Sequence, residues 1–485
     1  MSFHTIQSNI RMPQSNTEQT VTTTVKKYLP WLVAIALFME QLDATIVNTA
    51  VPSMALSLHA TPLSLKAVVA SYILSLAVFI PISGWLADRF GTRRIFGAAV
   101  MVFTIASVLC GISTSVPMLV LARLLQGAGG AMMIPVGRLA IVRTFPKSQL
   151  LTAMNFVIIP ALIGPLLGPT VGGLVVHLMS WRDIFFINVP IGLFALYMIY
   201  RHMPDYYGET SQPLDKVGFV LFGVGIALLS WLLEIFGESH FAISELITLF
   251  IISILFLVAY VWHSSRMSTP LLKLSLFKIR TFRISIVGGF VTSLGIGGMP
   301  FLLPLLYQVG LGMPAWKSGV LMMPAALAAM SMKYVSKNML QRFGYRQVLI
   351  VNTIMIGVTI ASFSLINPNS SAALIVVLSL CQGLFNSLQF SSMSSMVYAD
   401  VPDNQVSMAS TISSSFQQIS MSFGLAMGSL TAMWFLHGLP QTNQVAVTTA
   451  IHHALWVLGA LTILSSLTFW GLRAHDGDSV SQGQQ

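Results

Sequence analysis

The chain has 485 residues, of which 55% are hydrophobic and only 8% charged, with a formal net charge of +10. A soluble domain carries about 25% charged residues, so this chain cannot clothe a water-facing surface, and lipid must be its main solvent. Its bases sit in short connections between apolar runs, not in a stripe with interleaved aromatics, which argues against a nucleic-acid partner and for the positive-inside pattern of a membrane protein.

Residues 1–27 are rich in Gln, Ser, Thr and Asn and lack apolar periodicity, so they are expected to form a disordered cytoplasmic tail. No cleavable leader is expected, because the first apolar run, after Lys26 and Lys27, is too long for one. A membrane helix needs about 20 mostly apolar residues. That window finds fourteen spans, at about 30–53, 66–87, 95–113, 116–137, 151–176, 182–201, 217–236, 242–262, 282–308, 318–336, 346–366, 372–397, 406–436 and 448–472. No connection is long enough for a soluble catalytic domain, so an enzyme is not expected. The connections on one side carry most of the bases, from Lys26 and Arg89 to Arg346 and Arg473, while the other side holds only Lys66, Arg182 and Lys317. The basic side is read as cytoplasmic, with both termini there. Cys110 and Cys381 lie inside spans and read as small buried hydrophobes. No His/Cys cluster suggests a metal, no phosphate-binding loop suggests ATP, and no cofactor is expected.

Span 1 contains F-M-E-Q-L-D-A-T-I-V-N-T-A-V-P from Phe38, placing Glu40 and Asp43 on one helix face at i, i+3. The loop after span 2 reads G-W-L-A-D-R-F-G-T-R-R. Gly84 and Gly91 suit close approach and a tight turn, and Asp88 is an acid among the bases Arg89 and Arg93, placed to bond a neighbouring helix N-terminus. In span 4, Arg123 in mid-membrane costs about 2.5–3.5 kcal/mol even on the lenient scale, so it needs a cavity or a partner. Gln126 shares its face, and Gly127 with Ala131 offers a small-xxx-small contact. Span 5 reads I-P-A-L-I-G-P-L-L-G-P-T-V-G-G from Ile159. Gly164, Gly168 and Gly172 recur every four residues beside Pro165, Pro169 and Gly173, a smooth stripe in a helix that proline bends.

A weak repeat runs through the chain. R-F-G-x-R occurs at Arg89–Arg93 and again at Arg342–Arg346, and Gln126-Gly127 is echoed by Gln382-Gly383, both at an offset of about 255 residues. Gln341 replaces the acid in the second copy, and Ser379 stands where the first half has Arg123. This organisation predicts a tail (1–27), a first six-helix half (28–201), an inserted pair with its flanking loop (202–265), a second half (266–473) and a second tail (474–485).

The loop from Gly84 to Arg94 resembles the cytoplasmic signature of the major facilitator superfamily. The Gly-Pro pattern of span 5 resembles the motif of its exporter branch. L-D-x-T-I-V-N-x-A-x-P in span 1 and W-R-D-I-F-F-I-N-V-P-I-G from Trp181 resemble the 14-span drug:proton antiporters of the EmrB/QacA type. N-T-A-V-P-S-M-A, G-G-A-M-M-I-P-V-G-R-L, R-F-G-Y-R and F-S-S-M resemble the MdtD-type multidrug transporters more closely still. The resemblance implies an all-α fold of fourteen helices in two six-helix halves plus an inserted pair. It implies export of an amphiphilic small molecule in exchange for protons, by a monomer in the bacterial inner membrane. Its implied roles are proton coupling for Asp43, Glu40 and Arg123, a conformational latch for Gly84, Asp88, Arg89, Gly91 and Arg93, and the antiporter motif for span 5. Glu40 departs from the pattern, leaving open which acid carries the proton. An organic acid or metal chelate is the alternative cargo, and uptake the alternative direction.

Polar side chains inside spans must line a cavity or meet partners. Asn48, Gln126, Gln382, Asn386, Gln389 and Gln417 are therefore pocket candidates, together with Ser413, Ser414 and Gln418, with interhelical hydrogen bonding as the alternative.

Overall fold

The computed structural model describes residues 16–208, 213–235, 242–402, 405–436, 438–473 and 476–477. Lipid leaves no solvent partner for backbone N–H and C=O groups, so apolar runs of this length close their hydrogen bonds internally as helices. No strand occurs among the described residues.

The first part of the chain forms α1 (Asn16–Ser57), α2 (Lys66–Phe90), α3 (Thr92–Gly111), α4 (Val116–Thr144), α5 (Lys147–Leu178), α6 (Asp183–Phe186) and α7 (Asn188–His202). Helix α1 begins inside the expected tail, whose first fifteen residues lie outside the described ones. Then come α8 (Lys216–Ile235) and α9 (Ile243–Arg266). The second part forms α10 (Arg280–Ile296), α11 (Met299–Leu305), α12 (Ala315–Ser362), α13 (Ala372–Met396), α14 (Val406–Leu436) and α15 (Gln444–Ser465).

Among the described residues, 12 helical stretches are long and apolar enough to cross a membrane. The expected fourteen differ from these at two places. One stretch, Ala315–Leu365, covers two expected spans, and α5 contributes only the shorter apolar helix Ile163–Leu178. The 48 residues of α12 would measure about 72 Å if straight, against about 30 Å of hydrocarbon. The chain resolves this at Gly344, whose φ of 72° leaves the helical region and breaks α12 into two arms of membrane-spanning length. Gly91, its counterpart in the first R-F-G-x-R, has φ 96° and ends α2 in the same way. Left-handed backbone of this kind selects glycine.

The second echo also has a packing cause. A Cβ on Gly127 would lie 2.6 Å from Tyr72 O in α2, and one on Gly383 would strike the backbone of Ala325 in the first arm of α12. Each Gln-Gly glycine lets its helix touch the preceding hairpin arm.

Helices α8 and α9 pack on each other, with a Cβ on Gly225 only 2.7 Å from Leu257, and α8 leans on α2 and α14. Much of α9 presents Ile247, Leu255 and Val258 outward, as lipid contact requires. A buried polar node ties the pair down at the basic end. Asp215 accepts from Gly218 N–H (2.7 Å), His263 Nε2 (2.7 Å) and Leu271 N–H (3.1 Å). Burial alone raises this carboxyl, yet those hydrogen bonds together hold it below the ordinary aspartate value. At the far end Lys66, expected to be a loop base, is buried and donates to Leu233 O at the C-terminus of α8 (3.4 Å).

Candidate functional site

Arg123 and Gln126 stand one turn apart on α4 and turn together toward α1. Arg123 Nη1 donates to Asp43 Oδ2 (2.5 Å) and to Gln126 Oε1 (2.6 Å), and Gln126 Nε2 donates to Asp43 Oδ1 (2.9 Å) and Ser107 Oγ (2.8 Å). Asn188 Nδ2, from α7, donates to Asp43 Oδ1 at 2.7 Å. Asp43 thus accepts from three side chains. The guanidinium of Arg123 also lies over the Tyr72 ring, 4.2 Å from its centroid, a cation–π contact strengthened by desolvation. Asp43, Arg123, Gln126, Ser107 and Asn188 are each no more than 1% exposed. Five helices, α1, α2, α3, α4 and α7, therefore meet on one neutral, hydrogen-bonded ion pair, the condition under which buried charge is tolerable.

Glu40 occupies different surroundings. Though itself only 2% exposed, it borders a cavity of about 620 Å³ between the two parts of the bundle. Its Oε2 accepts from Gln41 Nε2 at 3.0 Å, and it makes no ion pair among the described residues. Tyr72 stands between the two acids, its ring under Arg123 and its edge in the cavity wall. Asn48 and Arg138 continue the wall on the first-half side, while Ser413, Gln417 and Met421 of α14 face them. Arg138, read in the sequence as a loop base, instead lies inside α4 and near the mouth of the cavity.

The cavity reaches from mid-bundle toward the basic end. The opposite end is closed. Gln308 Nε2 donates to Thr49 O (3.0 Å), Leu63 N–H to Gln441 Oε1 (3.0 Å) and Thr170 Oγ1 to Gly319 O (3.3 Å). Helix α5 serves two interfaces at once. A Cβ on Gly164 would lie 2.8 Å from Gln41 Cβ, and those on Gly168 and Gly172 would meet Thr45 and Ile46 O of α1. On the other face Gly173 abuts Ala315, and Pro169 abuts Gly319 of α12. Pro165 is half-buried between these contacts.

At the basic end Asp88 pairs with Arg143 at 2.7 Å, a side chain near the C-terminus of α4, where the sequence reading expected a helix N-terminus. The segment after α7 folds onto the turn. Asp205 accepts from Arg93 N–H (3.1 Å) and lies 3.9 and 3.7 Å from the guanidinium nitrogens of Arg93 and Arg94. Arg89 is exposed. A Cβ on Gly84 would meet nothing within 4 Å, so this glycine makes no close approach here; it borders a cavity of about 560 Å³ shared with Asp88, Ser407 and Thr411.

Of the pocket candidates, Asn48 and Gln417 line the cavity. Gln126 belongs to the sealed pair. Gln389 binds helices together, donating to Thr353 Oγ1 (2.8 Å) and accepting from Asn352 Nδ2 (2.8 Å). Gln382 and Asn386 are outside the cavity wall, with amide atoms that lack a partner among the described residues. Cys381 is only half-buried, and both cysteines are free. Among the described residues no cluster could hold a metal.

The sequence profile of the Major Facilitator Superfamily matches residues 33–425 and 335–483. The chain belongs to this superfamily. It is a multi-pass membrane transporter. It is 38% identical over 439 residues to a Serratia proteamaculans protein named "Putative multidrug resistance protein MdtD", covering 90% of this chain and 92% of that one. The Salmonella typhimurium protein of the same name is 39% identical, over 89% and 92%. Solved major facilitator structures share the fold at low identity. The POT family transporter PepTSo has TM-score 0.68 at 14% identity, over 95% of this chain and 99% of that one. A D-xylose-proton symporter has TM-score 0.67 at 14% identity, over 93% and 99%.

Proposed function

We propose that this chain is a proton-coupled antiporter that exports amphiphilic small molecules across the bacterial cytoplasmic membrane, acting as a monomer. In this reading the fourteen spans form two six-helix halves, within 28–201 and 266–473, around the inserted pair in 202–265, and both termini are cytoplasmic. The single observation that carries the proposal is the division of labour between the two acids of α1. Asp43 is sealed in the ion pair with Arg123, while Glu40 faces the cavity. The names of the relatives support multidrug efflux as the cargo class.

Glu40 is the carboxyl that a cytoplasmic amphiphilic cation meets. Bound cargo neutralises it, and a neutralised Glu40 is the condition for passing through the occluded state, since an uncompensated charge in the bilayer interior is costly. On the outside a proton replaces the cargo on Glu40 and provides the same neutrality for the return. Asp43–Arg123, joined to Glu40 through Tyr72, holds α1, α4 and α7 together during both passages. The latch around Asp88 and Asp205, and the α5–α12 contact, alternate as the inner and outer closures.

Arg138 in the cavity wall favours one second reading, an anionic cargo such as an organic acid or metal chelate. Energised inside-out vesicles test both. Antiport predicts that a lipophilic cation accumulates and simultaneously dissipates the stored pH gradient. Accumulation of an anion instead supports the second reading, and substrate movement that leaves the gradient untouched contradicts coupling.

A further inference from the structure

The two R-F-G-x-R turns have the same backbone but opposite electrostatic outcomes. In the first copy Arg143 has Asp88, and Arg93 and Arg94 have Asp205, while Arg89 is exposed and makes no ion pair among the described residues. In the second copy Gln341 replaces the acid. The nearest described tail carboxylate, Asp476, is occupied by Arg280 Nη2 at 2.5 and 2.8 Å and by Arg473 N–H at 2.7 Å. Arg342 and Arg346 are exposed and make no ion pair among the described residues.

Arg346 lines a groove on the surface of the bundle, and Arg342 lies beside it through the Phe343 ring. The groove has a volume of about 390 Å³ and is lined by Phe343, Arg346, Gln347, Ile350 and Trp470. Phe343 and Trp470 are 50% and 61% exposed. The guanidinium of Arg342 lies 5.5 Å from the centroid of the Phe343 ring, which holds a second positive charge at the groove's edge. Cationic groups beside aromatic and aliphatic walls match a phospholipid entering from the bilayer, its phosphate on the bases and its chain on the apolar side chains.

We propose that this groove is a binding site for an anionic phospholipid, with the headgroup phosphate on Arg346 and Arg342 and an acyl chain along Phe343, Ile350 and Trp470. The lipid supplies to the second turn the negative charge that Asp88 and Asp205 supply to the first. The inference is independent of the transported cargo.

The test uses the full chain in detergent, titrated with phosphatidylglycerol or phosphatidylcholine carrying brominated acyl chains, reading tryptophan quenching. The expected result is saturable quenching that favours phosphatidylglycerol. The preference falls about fivefold for Arg346→Gln or Arg342→Gln alone and further for both together, while Arg346→Lys keeps most of it. Trp470→Phe removes the phosphatidylglycerol-specific part of the signal, which places the lipid in this groove. Unfolding temperature and elution volume of each variant report on folding separately. Equal quenching by both lipids, or an unchanged preference in the double variant, would overturn the proposal. So would displacement of the lipid by inorganic phosphate alone, which would mark a general anion site. A preference that emerges only after residues 478–485 are removed would make the chain's own tail the occupant, and overturns it too.

Discussion

Glu40 and Asp43 lie one turn apart on the same helix, yet their surroundings assign them different consequences on substitution. Asp43→Asn leaves Arg123 buried with no counter-charge, and breaking a buried pair from one side costs about 3–5 kcal/mol. The variant is expected to give a lower yield of folded protein and a clearly lower unfolding temperature. Glu40→Gln keeps the shape of a buried side chain that forms no ion pair among the described residues, so its loss of stability is expected to be about 1 kcal/mol, well below that of Asp43→Asn, while pH-dependent transport is lost. Thermal unfolding of both purified variants checks this. A severe loss of stability in Glu40→Gln alone would reverse the assignment. Asn188→Ala is expected to fall between the two, by about 1.5–3 kcal/mol, because it removes a buried hydrogen bond to a charged group. The acids and Arg123 were legible in the sequence, since charge inside an apolar span announces itself. Asn188 sits in a recognisable run that assigns it no role, and Ser107 had no signal at all. Neutral polar residues are common in spans, and only the fold brings α3 and α7 to Asp43.

At the scale of elements, α5 reads correctly from sequence as a packing helix. What it packs against was not legible. Spacing gives the stripe at Gly164, Gly168 and Gly172, but only the structure shows that α1 lies on it and that Gly173 and Pro169 meet α12 on the adjacent face. Gly168→Leu places a branched side chain against Thr45 and is expected to abolish efflux through separation of α1 and α5, with membrane insertion retained because leucine does not lower hydropathy. Blotting of membrane fractions alongside dye efflux checks it, and normal efflux would show the contact to be dispensable. Gly84→Leu offers a contrast. Gly84 borders open space in this state, so the variant is expected to fold and bind cargo normally yet transport slowly, because the cavity beside Asp88 must shrink when the inner end closes. Unchanged turnover would mean that α14 does not approach Gly84. The fourteen-span expectation differs at two places: at Gly344, where two expected spans meet at a kink with helix on both sides, and at α5, whose apolar part is the shorter Ile163–Leu178.

For the molecule as a whole, the closed end opposite the basic loops and the cavity reaching toward the basic end define one state of the proposed alternating cycle. Spin labels at Thr61 and Thr442, both exposed near the Leu63–Gln441 contact, are expected to give a short distance at rest and a longer one when cargo is added, while Glu40→Gln stays short. A resting distance that is already long would contradict the closed outer end. The repeat and the bundle were legible because hydropathy and glycine turns are written locally. The cavity wall was only half legible, with Asn48 and Gln417 in it and Gln126 and Gln389 bonded elsewhere, since a polar side chain within a span reveals its cost but not its partner. The central claim is that the exchangeable proton resides on Glu40. The most direct measurement is substrate-induced proton release from the detergent-solubilised protein, followed with a pH dye in weak buffer, for wild type, Glu40→Gln and folded Asp43→Asn. The account predicts release from wild type and from Asp43→Asn, and none from Glu40→Gln. Undiminished release from Glu40→Gln would contradict it.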